Sequence, residues 1–206
     1  MDITFVLVRH GETEWNRLEK RHGHVDIPLN ETGRKQAEKL SERLATTNIK
    51  AIYTSDLKRS KETAKIINQK HGVEIIEDPL LREINLGDFE GLSREEAKQK
   101  FPVFWEKKKQ DPYKFQNPNG ESYKDLERRV ESFLEKVKDI PNPIPIVSHQ
   151  ATIRTMIGYV LKLEKKEMLD IAVPQNAIYF IDAKKPEISY SQDGLMKKGL
   201  LKRENY

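Results

Sequence analysis

The chain has 206 residues, no cysteine, and 37 lysines and arginines against 33 aspartates and glutamates, which gives a formal net charge of +4. This length fits a single domain over residues 1–206, and the lack of cysteine excludes disulfides, thiolate metal sites and cysteine nucleophiles. No apolar run approaches the ~18 residues of a membrane span and no signal peptide is visible, so we expect a soluble, cytoplasmic protein without a membrane partner. The basic residues are scattered, which argues against a nucleic-acid partner, whereas a mild positive charge suits a small anionic substrate.

From the N-terminus onward, short β-branched apolar runs alternate with amphipathic helical patterns. The runs predict strands at residues 3–8, 51–54, 73–76, 144–147 and 177–181. A helix is predicted after Asn30, with Ala37, Leu40 and Leu44 on one face, and another after Ser55. Asn30 and Ser55 are polar residues of the kind that cap helix N-termini, so both are predicted as caps.

The second half of the chain begins with a structured loop at residues 80–92, followed by mostly helical sequence over 93–140 that prolines interrupt. A helix is predicted at residues 151–161, and a hairpin around Gln192-Asp193-Gly194. Strand–helix alternation is typical of layered α/β folds. We therefore predict a three-layer α/β sandwich with a mostly parallel central sheet flanked by helices.

Polar side chains follow three of the predicted strands where each strand ends. Arg9 and His10 follow the first strand, Arg59 comes shortly after the second, and His149 follows the strand at 144–147. Parallel sheets place ligands at the carboxyl ends of their strands. Arginine matches the oxygens of phosphate or carboxylate with paired donors, and histidine can act as a nucleophile. The pattern favours an oxyanion site, and the alternative is that these residues cap strand ends by chance.

A metal site is the other chemistry that the sequence suggests. His22 and His24, followed by Asp26, could be a fragment of one, but two histidines so placed on a loop are more typical of local contacts. The phosphate-loop, dinucleotide, zinc-protease and serine-hydrolase motifs are all missing from the sequence. We predict no metal and no cofactor.

Six ordered segments resemble the sequence signature of the histidine phosphatase superfamily, also called the phosphoglycerate mutase-like family. They are LVRHGETEWN at 7–16, DIPLNETG at 26–33, TSDLKRSKETA at 54–64, LREINLGDFEG at 81–91, NGES at 119–122 and VSH at 147–149. Together they extend over nearly the whole chain. The resemblance implies the phosphoglycerate mutase-like variant of the predicted α/β fold.

The resemblance also implies roles for the residues that match these motifs. His10 is similar to the family's phosphorylated nucleophile, and Glu83 to the acid that protonates the leaving group. Contacts to the phosphoryl oxygens are implied for Arg9, Asn16, Arg59 and His149.

Three positions depart from the family pattern. His22 stands where the family usually has glutamine, Gln150 where it has glycine, and Asp56 where it commonly has proline. His22 keeps a polar group near the phosphate and Gln150 adds bulk beside His149, so both are substrate-binding candidates. Asp56 suits the first turn of the helix predicted there.

The expected function is metal-independent hydrolysis of phosphate monoesters through a phosphohistidine intermediate, with a small phosphorylated metabolite as substrate. One alternative is a 2,3-bisphosphoglycerate-dependent phosphoglycerate mutase, and another is a non-catalytic protein that binds a phosphate ligand. Only about thirty residues separate Gly91 from Gly120, which leaves little room for the enclosing insertion that the mutase reaction goes with in this family.

Two features of this stretch stay open. Four aromatic residues either line the pocket or bury a helical cap, namely Phe104, Trp105, Tyr113 and Phe115. Lys107, Lys108 and Lys109 either contact a second phosphate or form a solvated helix face, and the solvated face is the expectation.

Overall fold

Seven strands within residues 4–203, the part of the chain that the computed structural model describes, form one mixed sheet. They are β1 (Phe5–Arg9), β2 (Ala51–Thr54), β3 (Glu74–Glu77), β4 (Ile144–Ser148), β5 (Ala177–Asp182), β6 (Glu187–Gln192) and β7 (Leu195–Lys198). Their order is β3-β2-β4-β1-β5-β6-β7. Strands β1 to β4 are parallel to one another. Strand β5 pairs antiparallel with β1, β6 with β5, and β7 with β6. Ile3, predicted in the first strand, lies outside the described residues.

Helices cover both faces of the sheet. Those in the described residues are α1 (Glu14–Arg17), α2 (Glu31–Leu44), α3 (Lys58–Asn68), α4 (Arg94–Lys100), α5 (Pro102–Gln110), α6 (Tyr123–Val137), α7 (Gln150–Val160) and α8 (Lys165–Leu169). The predicted loop at 80–92 contains two short 3₁₀ turns, Pro79–Leu81 and Gly87–Phe89. None of the helices described between residues 4 and 203 has the length and apolarity that crossing a bilayer requires.

Strand β1 shows how the three layers share the core. Phe5 and Leu7 pack in the cluster that includes residues of α6 and α7, whereas Val6 and Val8 pack with α2 and α3. Successive side chains of a strand point to opposite faces, so a strand buried on both sides reads as a continuous apolar run. The predicted three-layer α/β fold is confirmed, with a sheet that becomes mixed because its C-terminal strands run antiparallel.

The two predicted helix caps have different outcomes. The side chain of Asn30 accepts a hydrogen bond from the backbone N–H of Gly33 at 2.8 Å and caps α2, as predicted. The prediction for Ser55 is wrong, because α3 begins at Lys58 and Leu57 occupies the cap position without a side-chain bond. The Ser55 hydroxyl instead contacts the Nε2 atom of His149 at 2.6 Å.

Helices α4 and α5 form a cap beside the sheet. The cap has its own small core of Phe89, Ala97, Trp105 and Phe115, separate from the two clusters that flank the sheet. Pro102 sits in the first turn of α5, where its missing N–H is not needed. The predicted helical stretch at 93–140 is helical with breaks, as expected: α4 and α5 form the cap, and α6 packs in the main core.

Candidate active site

Two histidines meet where the neighbouring parallel strands β1 and β4 end. Arg9 is in register with Ser148, and the backbone N–H of His10 donates to the Ser148 carbonyl at 3.0 Å. The residues after each strand therefore lie side by side, and the ring centroids of His10 and His149 are 5.0 Å apart. His10 and His149 therefore converge at the ends of the two strands, as predicted.

Gly11 allows the loop after His10 to pack closely on α2. A Cβ atom at Gly11 would come within 2.3 Å of the Gly33 carbonyl oxygen, so a larger residue would push the loop away. The Gly11 N–H donates to the Thr63 hydroxyl at 3.1 Å, which fixes the peptide from the other side.

The fixed loop determines the tautomer of His10. Its Nδ1 lies 2.7 Å from the Gly11 carbonyl oxygen, which can only accept, so Nδ1 carries the proton. Its Nε2 has no hydrogen-bond partner among residues 4–203. The ring is only 2% exposed, and burial, together with the charges of Arg59 and Arg9, holds the pKa of His10 well below its ordinary value of 6.5. His10 is therefore a neutral imidazole with a free lone pair, the form in which histidine is nucleophilic.

Arg59 and His149 lie beneath His10 and are fully buried. The Nε of Arg59 donates to Nδ1 of His149 at 3.3 Å, so the proton of His149 is on Nε2 and is donated to Ser55. Burial and the charge of Arg59 keep the pKa of His149 well below its usual value. The terminal nitrogens of Arg59 donate to the carbonyl oxygens of Val25 and Gly23 at 2.8 and 2.7 Å.

A cavity of about 660 Å³ opens above His10. Six of the eight predicted site residues line it: Arg9, His10, Asn16, His22, Glu83 and Gln150. Arg59 and His149 are not among its lining residues. Their predicted contact with a phosphoryl group thus remains a proposal. In this structure they lie on the side of His10 that faces away from the cavity.

Arg9 and Asn16 present donors to the cavity. Arg9 donates one bond to the Val173 carbonyl at 2.9 Å, and its Nε is buried without a partner in the described part of the chain. Burial lowers the pKa of Arg9 to about 10, which leaves it cationic at neutral pH. The Oδ1 of Asn16 accepts from the N–H and hydroxyl of Thr13, both at 3.1 Å. The Asn16 amide is therefore oriented by its own helix cap, with Nδ2 available to a ligand.

Glu83 faces the same cavity from a loop on the other side of the sheet edge. Its carboxylate accepts from the N–H of Ala151 at 3.0 Å, in the first turn of α7, and from the N–H of Ile84 at 3.0 Å. Its charge acts on both Arg9 and Arg59. These contacts place an acid–base group close to the nucleophile and to both arginines.

Two arginines that the sequence patterns do not single out hold this loop. Arg129 in α6 donates to the carbonyls of Leu80, Arg82 and Glu83 at 2.7 to 3.2 Å. Arg82 forms a bidentate ion pair with Asp56, with N–O distances of 2.7 and 2.5 Å. Asp56 was expected to serve the first turn of α3; it lies before that helix and ties the Glu83 loop to the end of β2 instead. The departure of Asp56 from the family pattern singled the residue out, but nothing in the sequence pointed to this role.

The polar side chains of the loop at residues 22–26 contact other parts of the protein. His22 lies 3.4 Å from the Thr13 hydroxyl, and burial with the charge of Arg59 lowers its pKa to about 3. His24 donates to the Glu83 carbonyl at 2.9 Å, and Asp26 accepts from the Lys58 N–H at 2.6 Å. Over residues 4–203, no three histidine or acidic side chains are arranged to hold a metal ion.

The cap resolves the two open features of the sequence. Trp105 and Phe115 line the cavity and also bury the cap core, whereas Phe104 is exposed. Lys107 is exposed. Lys109 is exposed, borders the cavity and pairs with Glu106, whereas Lys108 is partly buried and lines the cavity. The expectation of a solvated face is therefore wrong for Lys108, because α5 turns this residue toward the cap core.

Comparison with known proteins agrees with this geometry. The family model of the histidine phosphatase superfamily (branch 1) matches residues 5–191. Phosphoserine phosphatase 1 of Hydrogenobacter thermophilus is 34% identical over 164 residues, which cover 79% of this chain and 78% of that protein. Phosphoglycerate mutase-like protein 4 of Arabidopsis thaliana is 40% identical over 156 residues, which cover 73% of this chain and 68% of that protein.

A solved structure extends the likeness to the fold. YhfR of Bacillus stearothermophilus has a TM-score of 0.76 at 27% identity and covers 95% of both chains. The resemblance in six sequence segments, the paired histidines at the sheet edge and the family match lead to one conclusion: the chain belongs to the histidine phosphatase superfamily, branch 1.

Proposed function

We propose that the protein hydrolyses phosphate monoesters of small metabolites through a phosphohistidine intermediate on His10. The observation that carries this proposal is the state of His10. It is neutral, its Nδ1–H is fixed on the Gly11 carbonyl, and its Nε2 has no partner in the described residues, at the base of a cavity lined by Arg9. This is what an in-line attack on phosphorus requires.

In the first step, the Nε2 lone pair of His10 forms a bond to phosphorus while the bond from phosphorus to the leaving oxygen breaks. Glu83 gives its proton to that oxygen, which leaves as an alcohol. Arg9 and Asn16 donate to the phosphoryl oxygens from the cavity. Arg59 supports the transition state from below, where its charge offsets the negative charge on the phosphoryl group in a largely dry site. His149 accepts from Arg59 and so holds the guanidinium in place.

In the second step, the Glu83 carboxylate takes a proton from a water molecule whose oxygen attacks phosphorus. The bond between phosphorus and Nε2 breaks, inorganic phosphate leaves, and neutral His10 and protonated Glu83 are restored. We propose that the arginines supply the positive charge, so that no metal ion takes part. His22 and Gln150, which line the cavity, are proposed to position the substrate, and the cytoplasm is the proposed compartment.

The names of the relatives support two candidate activities. One is a phosphoserine phosphatase and another a phosphoglycerate mutase-like protein. A mutase must shield its phosphoenzyme from water, whereas the cap here consists of two short helices of 7 and 9 residues. This small cap favours hydrolysis.

The experiment that tests the proposal supplies the purified protein with 3-phosphoglycerate, with and without 2,3-bisphosphoglycerate, and with a panel of metabolite monoesters. Free phosphate and 2-phosphoglycerate are measured separately. We expect phosphate release from at least one monoester and little isomerisation. Rapid isomerisation with little phosphate release would establish the mutase instead, and binding without either reaction would establish a phosphate-ligand binding protein.

A further inference from the structure

The cavity extends from His10 to the cap, and cationic side chains line this outer part. Lys108 and Arg21 lie in its wall, and Arg94 is exposed at its edge. Arg154 also lines the cavity, as does the exposed Arg203, and the charges of both act on Arg9 as well. We name these five residues the distal cationic site. The charge of Arg94 acts on Arg21, Lys108 and Arg203, and the charge of Arg154 acts on Arg203, so the five form a connected group rather than separate surface cations.

Within residues 4–203, no carboxylate forms an ion pair with a residue of the distal cationic site, and the charge of Asp170 acts on Arg203 alone. Among the ion pairs within residues 4–203, none involves Arg21, Arg94, Lys108, Arg154 or Arg203. Cations held close together and away from water repel one another unless an anion lies between them. The buried members of this group, Arg154 and the partly buried Lys108, would therefore be stabilised by an anionic ligand in the cavity.

Two buried donors in this site are left without partners. They are Nε of Arg21 and Nη2 of Arg154, neither of which has a hydrogen bond within the described chain. Arg154 is 2% exposed, and its other nitrogens are fixed by the Ile171 carbonyl at 2.8 Å and the Tyr123 hydroxyl at 2.9 Å. Buried donors are normally satisfied, so a rigid guanidinium with one free nitrogen is suited to accept an anionic ligand.

Aromatic rings hold the cap side of the site in place. The Nζ of Lys108 is 5.6 Å from the Phe89 ring centre and 5.7 Å from that of Phe115. The guanidinium groups of Arg21 and Arg94 lie 5.3 and 5.9 Å from the ring centre of Trp105. Aromatic faces orient cations without neutralising them, so the full charge of these side chains remains available. Burial, with Arg21 and Arg94 nearby, lowers the pKa of Lys108 to about 8, which leaves it mostly charged at neutral pH.

We propose that the distal cationic site binds a second anionic group, a carboxylate or a phosphate, carried by the leaving group of the substrate. This inference rests on the proposed function, because it takes the phosphoryl group to be at His10. Arg9 and Arg59 already offset the charge of that group. The remaining cations therefore select monoesters with an acidic group at the far end over neutral or purely aromatic esters.

Three aryl esters that differ in one substituent test this selectivity: phenyl phosphate, 4-carboxyphenyl phosphate and 1,4-phenylene bisphosphate. We expect kcat/KM for at least one charged ester to exceed that for phenyl phosphate by about tenfold or more. The better of the two charged esters shows whether the site takes a carboxylate or a phosphate. Equal kcat/KM for all three esters would overturn the proposal.

Variants connect the preference to the named residues. Lys108→Met and Arg21→Met remove one charge each at nearly constant volume, and each should lower the preference for the charged ester by about tenfold. Lys107→Met is the matched control, because Lys107 is exposed on the same helix, and the preference should be unchanged. A full preference in both Lys108→Met and Arg21→Met would contradict the assignment.

A binding measurement separates this inference from the proposed function. Phenylphosphonate and 4-phosphonobenzoate are not hydrolysed, so calorimetric titration reports on the site whether or not the protein is a phosphatase. If no ester is hydrolysed, the proposed function fails. A tenfold or so tighter binding of 4-phosphonobenzoate that Lys108→Met abolishes would still support the distal cationic site, and equal affinities for the two phosphonates would overturn it.

Discussion

Arg129 and Glu121 form an ion pair, with Nη2 of Arg129 2.9 Å from Oε2 of Glu121, that fixes the loop carrying Glu83. The same guanidinium donates to three carbonyls of that loop, including the Glu83 carbonyl at 3.2 Å. Glu121 in turn accepts from the Asn85 N–H at 2.8 Å. The proposed proton donor therefore owes its position to a pair of charged residues that do not line the cavity near His10.

Replacing Arg129 tests this positioning role. Arg129→Met leaves Glu121 and the loop carbonyls without their donor, so we expect the free energy of unfolding to fall by about 3 kcal/mol. Turnover should fall more for alkyl phosphates than for nitrophenyl phosphate, because only the alkyl leaving group needs a well-placed acid. Arg129→Lys should restore part of both. Arg128→Met, at an exposed neighbouring position, is the control, and equal losses for the two substrates in Arg129→Met would reduce Arg129 to a structural role.

The leaving group also tests Glu83 directly. Glu83→Gln keeps the shape of the side chain but has no proton to give, so the rate for poor leaving groups should fall by about 10²–10⁴. The loss should be much smaller for nitrophenyl phosphate, whose leaving group departs without a proton. Initial rates on matched alkyl and nitrophenyl esters provide the comparison, and the same loss on both would show that Glu83 is not the acid.

Sequence reasoning predicted those parts of the site that depend on strand ends. The apolar run before Arg9 and the run before His149 were enough to predict that both histidines meet, because β1 and β4 are parallel neighbours. The role of Ser55 could not be predicted, since a serine before a helix is equally suited to cap it or to bond a residue 94 positions away. The contact between Arg129 and the Glu83 loop is likewise non-local and leaves no local pattern.

In the cap, too, local sequence patterns predict the helices but not the non-local contacts. Helical content between residues 93 and 140 followed from local pattern, but the orientation of Lys108 did not. Three consecutive lysines, 107 to 109, are typical of a solvated face, and only the packing of α5 on Phe89 and Phe115 turns the middle one inward. Tertiary packing therefore decides which of the three lysines is partly buried in the cavity wall.

His22 predicts an acid dependence of stability. Its pKa is lowered to about 3 in the folded protein, against about 6.5 when unfolded. Between these values the unfolded state binds more protons than the folded state. The contribution of His22 to the free energy of unfolding is therefore fully present above pH 6.5 and is lost as the pH decreases. The contribution of His22 is about 1.4 kcal/mol per pH unit. The free energy of unfolding, measured by urea titration at a series of pH values from 7 to 4, should therefore depend on pH less steeply in His22→Gln, by about that amount. An unchanged slope would mean that His22 is protonated in the folded state.

Chelation tests the proposed independence from metal ions. Because Arg9 and Arg59 supply positive charge at the phosphoryl group, activity should persist in excess EDTA, and vanadate should inhibit as a mimic of five-coordinate phosphorus. The assay is phosphate release before and after dialysis against chelator. Loss of activity that a divalent ion restores would contradict this, and would direct attention to His22, His24 and Asp26.

We expect His10 to carry the phosphoryl group during turnover, and rapid-quench trapping with a ³²P-labelled substrate can show it. The wild-type protein should yield a labelled species that is stable to base, labile to acid and located on the peptide containing His10. His10→Ala should retain its fold by circular dichroism, form no labelled species and release no phosphate. A labelled species on another residue, or near-normal turnover in His10→Ala, would contradict the account.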